Sequence, residues 1–123
     1  MTEERRYTVE EAESVLPDIR GRLERIRDAR QELFHSSEVI KEHAAADGGG
    51  FARPEYWDAL ETLRAEVSDL SERDIILRDA ETGLIDFPAE RDGRRILLCW
   101  RLGEEHVSHW HDPEAGFAGR RRL

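Results

Sequence analysis

The longest uninterrupted apolar run of the chain is Ile-Leu-Leu-Cys-Trp at residues 96–100, in the middle of a predicted strand over residues 95–102. Successive side chains of a strand point to opposite faces, so this strand is apolar on both faces. It therefore needs cover on both sides of its sheet. Helices can cover one side, and the N-terminal helix, the C-terminal loop or a partner subunit must cover the other.

Three further short runs with strand character accompany it. They lie at residues 75–78, 84–87 and 106–111. Turn-forming residues such as Asp92-Gly93 separate the runs, and Pro88 is expected to end the second one. Four short strands in sequence order, joined by tight turns, predict an antiparallel β-meander.

Before the strands, the apolar residues follow a helical period. From Ile19 to Ala44, and again from Tyr56 to Leu77, the seam positions step alternately by four and three residues, which predicts two helices with narrow apolar seams. The glycine-rich segment at residues 44–50 should join them as an antiparallel hairpin. A capping box, Thr8-x-x-Glu11, starts a shorter helix that is expected to kink or break near Leu16, because Pro17 follows.

These elements predict one α+β domain over residues 1–123, in which a long antiparallel helical hairpin, preceded by a short helix, packs on a small antiparallel meander. The predicted parts are the N-terminal helices at 8–46, the second hairpin helix at 53–74, the β-meander at 75–111, and the C-terminal loop and tail at 112–123. A helix over residues 17–46 would be ~45 Å long, whereas a compact chain of this size has a radius of gyration of ~14 Å. The hairpin should therefore project, and we expect a homo-oligomer, a dimer or higher.

Charge and composition exclude several classes of function. The formal net charge of −9 disfavours nucleic acid as a partner, because the chain would repel phosphates. No apolar run approaches the roughly 18 residues of a membrane span, and the N-terminus is too acidic for a signal or transit peptide. The lone Cys99 can form no disulfide within the chain, so we expect a cytoplasmic protein.

His109-Trp110-His111 is the sharpest chemical feature of the sequence. On a strand the two imidazoles share a face, ~6.5–7 Å apart along it, and can bind one divalent metal ion such as zinc, manganese or iron. Asp86 or Glu104 could complete a three-ligand site. Glu11 could join them if the first helix packs over the sheet edge. In the alternative, His111 only donates a structural hydrogen bond and His109 faces solvent.

Asp86 and Cys99 are polar groups within apolar strands. A buried carboxylate needs a partner, so Asp86 should either pair with an arginine or bind a ligand. The arginines considered are Arg95, Arg101 and Arg120. Cys99 is interpreted as an inert buried thiol, because no histidine is expected beside it. Trp110 belongs either to the core or to a small pocket next to the candidate site.

Several motifs spread over nearly the whole chain resemble those of a prokaryotic family catalogued as domain of unknown function 2203. They are Tyr-Thr-x-x-Glu-Ala at 7–12, Glu-Thr-Gly-Leu-Ile-Asp-Phe-Pro-Ala at 81–89, Leu-Cys-Trp-Arg-Leu-Gly-Glu at 98–104, Trp-His at 110–111 and Gly-Phe-Ala-Gly-Arg at 116–120. The resemblance implies a small cytoplasmic protein and no particular activity. It also implies a site built from polar residues at 11, 86, 104, 111 and 120. Because the family more often has an aromatic residue where His109 stands, His111 and the carboxylates should carry that site.

Two hypotheses of function follow, and whether the protein is an enzyme stays open. In the first, a metal or small-ligand site lies near the last strands, with Arg120 and Trp110 as ligand-binding residues and hydrolysis by a metal-activated water as the natural reaction. In the second, the protein is a non-enzymatic oligomeric interaction module, and the seams of its helical hairpin hold the subunits together.

Overall fold

A computed structural model of the protein describes residues 3–47 and 53–123, without the side chains of residues 40 and 43–47. These described residues form two helices, five strands and a single 3-10 turn. These are α1 Val9–Asp47, α2 Pro54–Glu72, β1 Ile76–Asp79, β2 Leu84–Arg91, β3 Arg94–Arg101, β4 His109–His111, the 3-10 turn Phe117–Gly119 and β5 Arg121–Arg122. The predicted α+β class is confirmed. Residues 48–50 of the glycine turn predicted at 44–50 lie outside the described residues.

The first helix runs without a break through Pro17, so the predicted separate N-terminal helix is wrong. The capping box at its start is confirmed, since the Thr8 N–H donates to Glu11 Oε1 at 3.0 Å and the Glu11 N–H to Thr8 Oγ1 at 3.1 Å. Pro17 removes one backbone donor, but it lies on the exposed side of α1. A continuous buried stripe therefore holds the helix together across the proline. Its residues are Ala12, Leu16, Ile19, Leu23 and Ile26.

The two helices form an antiparallel hairpin held by ion pairs. Arg73, at the end of α2, reaches Asp18 of α1 at 3.0 Å, whereas Glu66 meets Arg22 and Arg25 further along, each at 2.9 Å. From one ion pair to the next, the residue numbers rise in α1 and fall in α2. The two helices therefore run in opposite directions. Neither helix, within the residues described, is apolar enough along its length to cross a membrane.

The far part of the hairpin projects from the core. Beyond Ala29, Ser36 is the only buried side chain among those described in α1. Phe34 and Trp57 are instead 60% and 57% exposed. At ~1.5 Å per residue, the 39 residues of α1 span ~58 Å. The hairpin therefore extends beyond the part that packs on the sheet.

The five strands form one antiparallel sheet in the order β1-β2-β3-β4-β5. Asp92 and Gly93 both have positive φ angles, 53° and 75°, and form a two-residue turn between β2 and β3, where a turn was predicted. The fifth strand was not expected, because residues 112–123 were predicted to be a loop and tail. Its two arginines, Arg121 and Arg122, pair with Trp110 and His109 of β4.

Pro88 does not end β2 as predicted, and the strand continues to Arg91. Strand β1 pairs with β2 only as far as Asp86, so the side of Pro88 that faces β1 is a sheet edge. Because no strand pairs with Pro88 on that side, its missing N–H removes no hydrogen bond between strands. The Pro88 carbonyl accepts instead from the Tyr7 N–H at 2.7 Å.

The sheet has two different faces. The helix-facing side carries the apolar residues that pack with α1; its largest members are Ile85, Phe87, Leu98, Trp100 and Trp110. The opposite side carries Asp86, Leu97, Cys99 and His111, each 1% exposed. Residues 113–117 lie over this second face. The strand at 96–100 thus has its two covers, helices on one side and the C-terminal loop on the other.

Candidate metal site

Asp86, Cys99 and His111 meet on the sheet face turned away from the helices. They come from the neighbouring strands β2, β3 and β4, and Asp86 is directly opposite Cys99 in the register. Each offers one ligand atom, and these atoms all lie within 4.8 Å of one another. All three side chains are buried. Imidazole nitrogen, thiolate sulfur and carboxylate oxygen are the three kinds of ligand that zinc takes from proteins.

The two ring nitrogens of His111 both face oxygen atoms. Nδ1 lies 2.7 Å from the carbonyl oxygen of Asp112, and Nε2 lies 3.0 Å from Oδ1 of Asp86. A carbonyl can only accept, so Nδ1 carries a proton and donates it. That bond fixes the ring and leaves Nε2 as the atom directed at Asp86 and Cys99. A histidine that donates one N–H to a backbone carbonyl and offers its other nitrogen is the usual arrangement of a metal ligand.

The contact between His111 and Asp86 also fixes how many protons the pair holds. An ionised carboxylate is a pure acceptor, and a neutral imidazole protonated at Nδ1 has a pure acceptor at Nε2. A hydrogen bond of 3.0 Å between Nε2 and Oδ1 therefore needs one further proton on the pair. A bound cation would take the place of that proton.

Asp86 pairs with Arg78, which was not among the arginines considered from the sequence. The Nε–H of Arg78 donates to Oδ2 of Asp86 at 2.6 Å, while Oδ1 faces His111. Arg78 lies on β1, where the pairing with β2 shifts register between Leu77 and Asp79. Two of the three arginines considered pair with other carboxylates, Arg95 with Glu4 and Arg120 with Glu104.

Cys99 does have a histidine and a carboxylate beside it, so the predicted isolation of this thiol is wrong. Burial, together with the negative charge of Asp86, raises the pKa of Cys99 to about 11. In the absence of a metal ion, the residue is a protonated thiol at neutral pH and a poor nucleophile. Both nitrogens of His111 are engaged with oxygen atoms, so His111 is not free to act as its base. Metal ligation is a chemistry that this cysteine can perform, because a metal ion deprotonates a coordinating thiol.

Glu104, Arg120 and His109 form a second group beside the first. Arg120 binds Glu104 through both terminal nitrogens, at 3.1 and 2.9 Å, and lies over the ring of Phe117 at 4.4 Å. Burial opposes ionisation of Glu104, but hydrogen bonds from Arg120 and from the Arg101 N–H outweigh it and lower the pKa of Glu104. His109 Nδ1 lies 3.9 Å from Glu104, too far for a hydrogen bond. The predicted ligands Glu104 and His109 are thus near each other but outside the Asp86 group.

Two other predicted site residues lie away from this face. The Glu11 carboxylate is used in the capping box at the start of α1, where hydrogen bonds from the backbone and side chain of Thr8 lower its pKa. Trp110 points to the helix side of the sheet, because neighbours along a strand alternate between faces. The guanidinium groups of Arg91 and Arg121 lie over its ring, at 4.8 and 5.4 Å.

A cleft of about 290 Å³ opens above the three ligands. Arg78 and Leu84 form one side, and the loop residues 113–117 form the other, with Asp86, Cys99 and His111 below. A larger hollow of about 460 Å³ lies near Tyr7 and Leu123, but none of the three ligands lines it. The smaller cleft is therefore the one that a ligand of this site would enter.

The amino-acid sequence matches one protein family along almost its full length. The family is described as "Uncharacterized conserved protein (DUF2203)", and the match covers residues 5–123. Comparison with curated proteins and with solved structures found no match. The chain therefore belongs to the DUF2203 family.

Proposed function

We propose that this protein binds one divalent metal ion through Asp86, Cys99 and His111, with a further coordination position open to the cleft. The observation that supports the proposal most is the convergence of three different ligand types, from three strands, within 4.8 Å. Chance proximity on a surface would leave such groups exposed, yet each is 1% exposed here. The Nδ1–H bond from His111 to the Asp112 carbonyl supports it further, since it already orients the ring.

The ligand types favour zinc or ferrous iron over manganese. Thiolate and imidazole suit zinc and iron, whereas manganese prefers oxygen ligands. Around a tetrahedral zinc ion, ligand atoms stand roughly 3.4–3.7 Å apart, given bond lengths of about 2.0–2.3 Å. His111 Nε2 and Asp86 Oδ1 are 3.0 Å apart. They need to separate by only a few tenths of an ångström.

Three protein ligands with an open fourth position are typical of catalytic zinc sites, whereas structural sites have four. A metal ion with such an opening lowers the pKa of a bound water and makes it a nucleophile at neutral pH. Hydrolysis of a small substrate in the cleft is therefore the reaction that we propose. A cytoplasmic location suits this chemistry, because a reducing compartment keeps Cys99 available as a ligand.

Cobalt(II) titration of metal-free, untagged protein tests the site directly. We expect one ion per chain, visible bands of tetrahedral cobalt, and a thiolate-to-cobalt charge-transfer band that zinc abolishes by displacement. Cys99→Ala should lose the charge-transfer band. His111→Ala should weaken binding by more than about 100-fold, because even indirect supports of metal ligands are worth 10–100-fold.

His106→Ala is the matched control, since His106 lies in the turn before β4 and its side chain is 66% exposed. It should bind cobalt like the natural protein, and so should His109→Ala. Circular dichroism establishes that each variant is folded. Absence of the cobalt bands from the natural protein, together with no zinc or iron in protein purified without chelators, would disprove the proposal.

Exposed aromatic residues on the hairpin favour a second candidate function, self-association. We propose that Phe34 and Trp57, more than half exposed, contact a second copy of the chain. This surface differs from the seams inferred from the sequence, because Ile19, Leu23 and Ile26 are buried within the chain itself. In sedimentation velocity at micromolar concentration, the natural protein should sediment as an oligomer and the Trp57→Glu variant as a monomer. The variant Glu61→Gln, changed on the same helix, should remain an oligomer. A natural protein that sediments as a monomer would exclude this role.

A further inference from the structure

Arg78 has hydrogen-bond donors to spare at the mouth of the cleft. Its Nε–H is used by Asp86, at 2.6 Å. Neither terminal nitrogen has an acceptor or ion-pair partner among the residues that the structure describes. A guanidinium carries five N–H donors in one plane, and its two terminal nitrogens fit the paired oxygens of a carboxylate or phosphate.

We infer that the cleft beside the metal site binds a small oxyanion, a carboxylate or a phosphate group, through the terminal nitrogens of Arg78. The inference rests on the proposed metal centre for the second contact of this ligand, since the open coordination position faces the same cleft. Arg78 itself lines the cleft and its side chain is 42% exposed, so a ligand can reach it from solvent.

The buried carboxylate of Asp86 orients Arg78 before any ligand arrives. Asp86 is 1% exposed and is itself held by His111, so its position on β2 is fixed. Binding of an oxyanion therefore needs little further ordering of the arginine, which is a large cost for a flexible side chain. A guanidinium anchored through Nε presents both terminal nitrogens in one direction.

The charges of the site also favour an anion. With a divalent ion bound, the thiolate of Cys99 and the carboxylate of Asp86 cancel the metal charge, and Arg78 leaves the site with one positive charge. Glu114 is the other acidic residue along the cleft. It is exposed, so water screens its charge far more than the charges of the buried group. One excess positive charge next to a Lewis acid suits a substrate with one negatively charged oxygen group.

The size of the cleft limits the ligand. Its volume is about 290 Å³, at the lower end of the range that is typical of small-molecule sites. Leu84, Pro113 and Phe117 add an apolar wall. The ligand class is therefore a carboxylate or phosphate monoester with a short apolar part.

Isothermal titration calorimetry with inorganic phosphate and with acetate tests the inference, in parallel on zinc-loaded protein freed of excess zinc and on metal-free protein. Sodium chloride at equal ionic strength serves as the blank. We expect saturable binding of at least one of the two anions, tighter with zinc than without. The anion that binds more tightly shows whether the cleft prefers a phosphate or a carboxylate group. Arg78→Gln should lower the affinity at least about tenfold, as expected for a lost charge-assisted hydrogen bond. Arg78→Lys should recover part of that loss, and Arg122→Gln, an exposed arginine of β5, should change nothing.

The cobalt spectrum of each variant distinguishes failure of this inference from failure of the metal site. A normal cobalt spectrum with no saturable anion binding, or with equal affinities for the natural protein and Arg78→Gln, would overturn the inference and leave the metal proposal standing. Anion binding that depends on Arg78 in a protein without any metal affinity would support the inference and overturn the metal proposal. Loss of both measurements in the natural protein would overturn both.

Discussion

Replacement of Asp86 by alanine is expected to cost the metal-free protein about 3–5 kcal/mol of its free energy of unfolding. The substitution removes the acceptor of His111, whose side chain is 1% exposed. It also removes the partner of Arg78, but that side chain is 42% exposed, so water can solvate most of its charge. Most of the loss should therefore come from the histidine. Urea unfolding at neutral pH, followed by circular dichroism, measures it.

A pair of comparison variants shows whether this cost arises from the unpaired partner. Asp86→Asn keeps the shape and one acceptor, so it should lose less than Asp86→Ala. Replacing both groups by apolar residues, as in Asp86→Leu with His111→Phe, should destabilise less than the single alanine substitution, because no buried polar group is then left alone. A loss below about 1 kcal/mol in Asp86→Ala would contradict the buried hydrogen bond between Asp86 and His111.

Leu23→Glu is expected to unfold the protein rather than change its assembly. Leu23 is fully buried in the middle of the stripe along α1 that packs on the sheet. A carboxylate there would lose its hydration without an obvious cation in the apolar core, which costs several kcal/mol. Small domains have only about 5–15 kcal/mol of stability in total. Thermal unfolding by circular dichroism should show a strongly lowered midpoint or no cooperative transition.

Trp57→Glu introduces the same carboxylate on the other helix of the hairpin, at a site that is 57% exposed. Its free energy of unfolding should stay within about 0.5 kcal/mol of the natural value when both are measured as monomers. If Leu23→Glu instead folded normally and only its sedimentation changed, the seam of α1 would face a partner subunit. That result would contradict the packing of α1 on its own sheet.

The helices and the turn between β2 and β3 could be predicted because their signals are local. The four-three spacing identified the buried stripe of α1 as far as Ile26, and Asp92-Gly93 identified the hairpin turn. The predictions at Pro17 and Pro88 were wrong because a proline in the sequence shows only that one backbone N–H is missing. It does not show whether a hydrogen bond is lost there. Whether its missing donor matters depends on what lies beside it: solvent for Pro17, and a sheet edge for Pro88.

The site was only partly predictable, because its members meet across strands. Asp86 and His111 were chosen from residue type and alternation, and they do lie side by side. Cys99 could have been found as well. The two-residue turn pairs Arg91 with Arg94, and counting outward five residues on each strand puts Asp86 opposite Cys99. Arg78 could not be found in this way, since the register of β1 shifts at that residue.

The origin of the three ligands in separate strands has a mechanical consequence. An ion held by Asp86, Cys99 and His111 would cross-link β2, β3 and β4, closing the 25-residue interval between Asp86 and His111 much as a disulfide would. Strand β4 has only three residues, and only the two-residue β5 lies beyond it, so few ladder hydrogen bonds hold this edge of the sheet. On loss of the metal ion, this edge of the sheet would open first. In hydrogen exchange, the amide hydrogens of β4 would then exchange faster, while those of α1 would keep their protection.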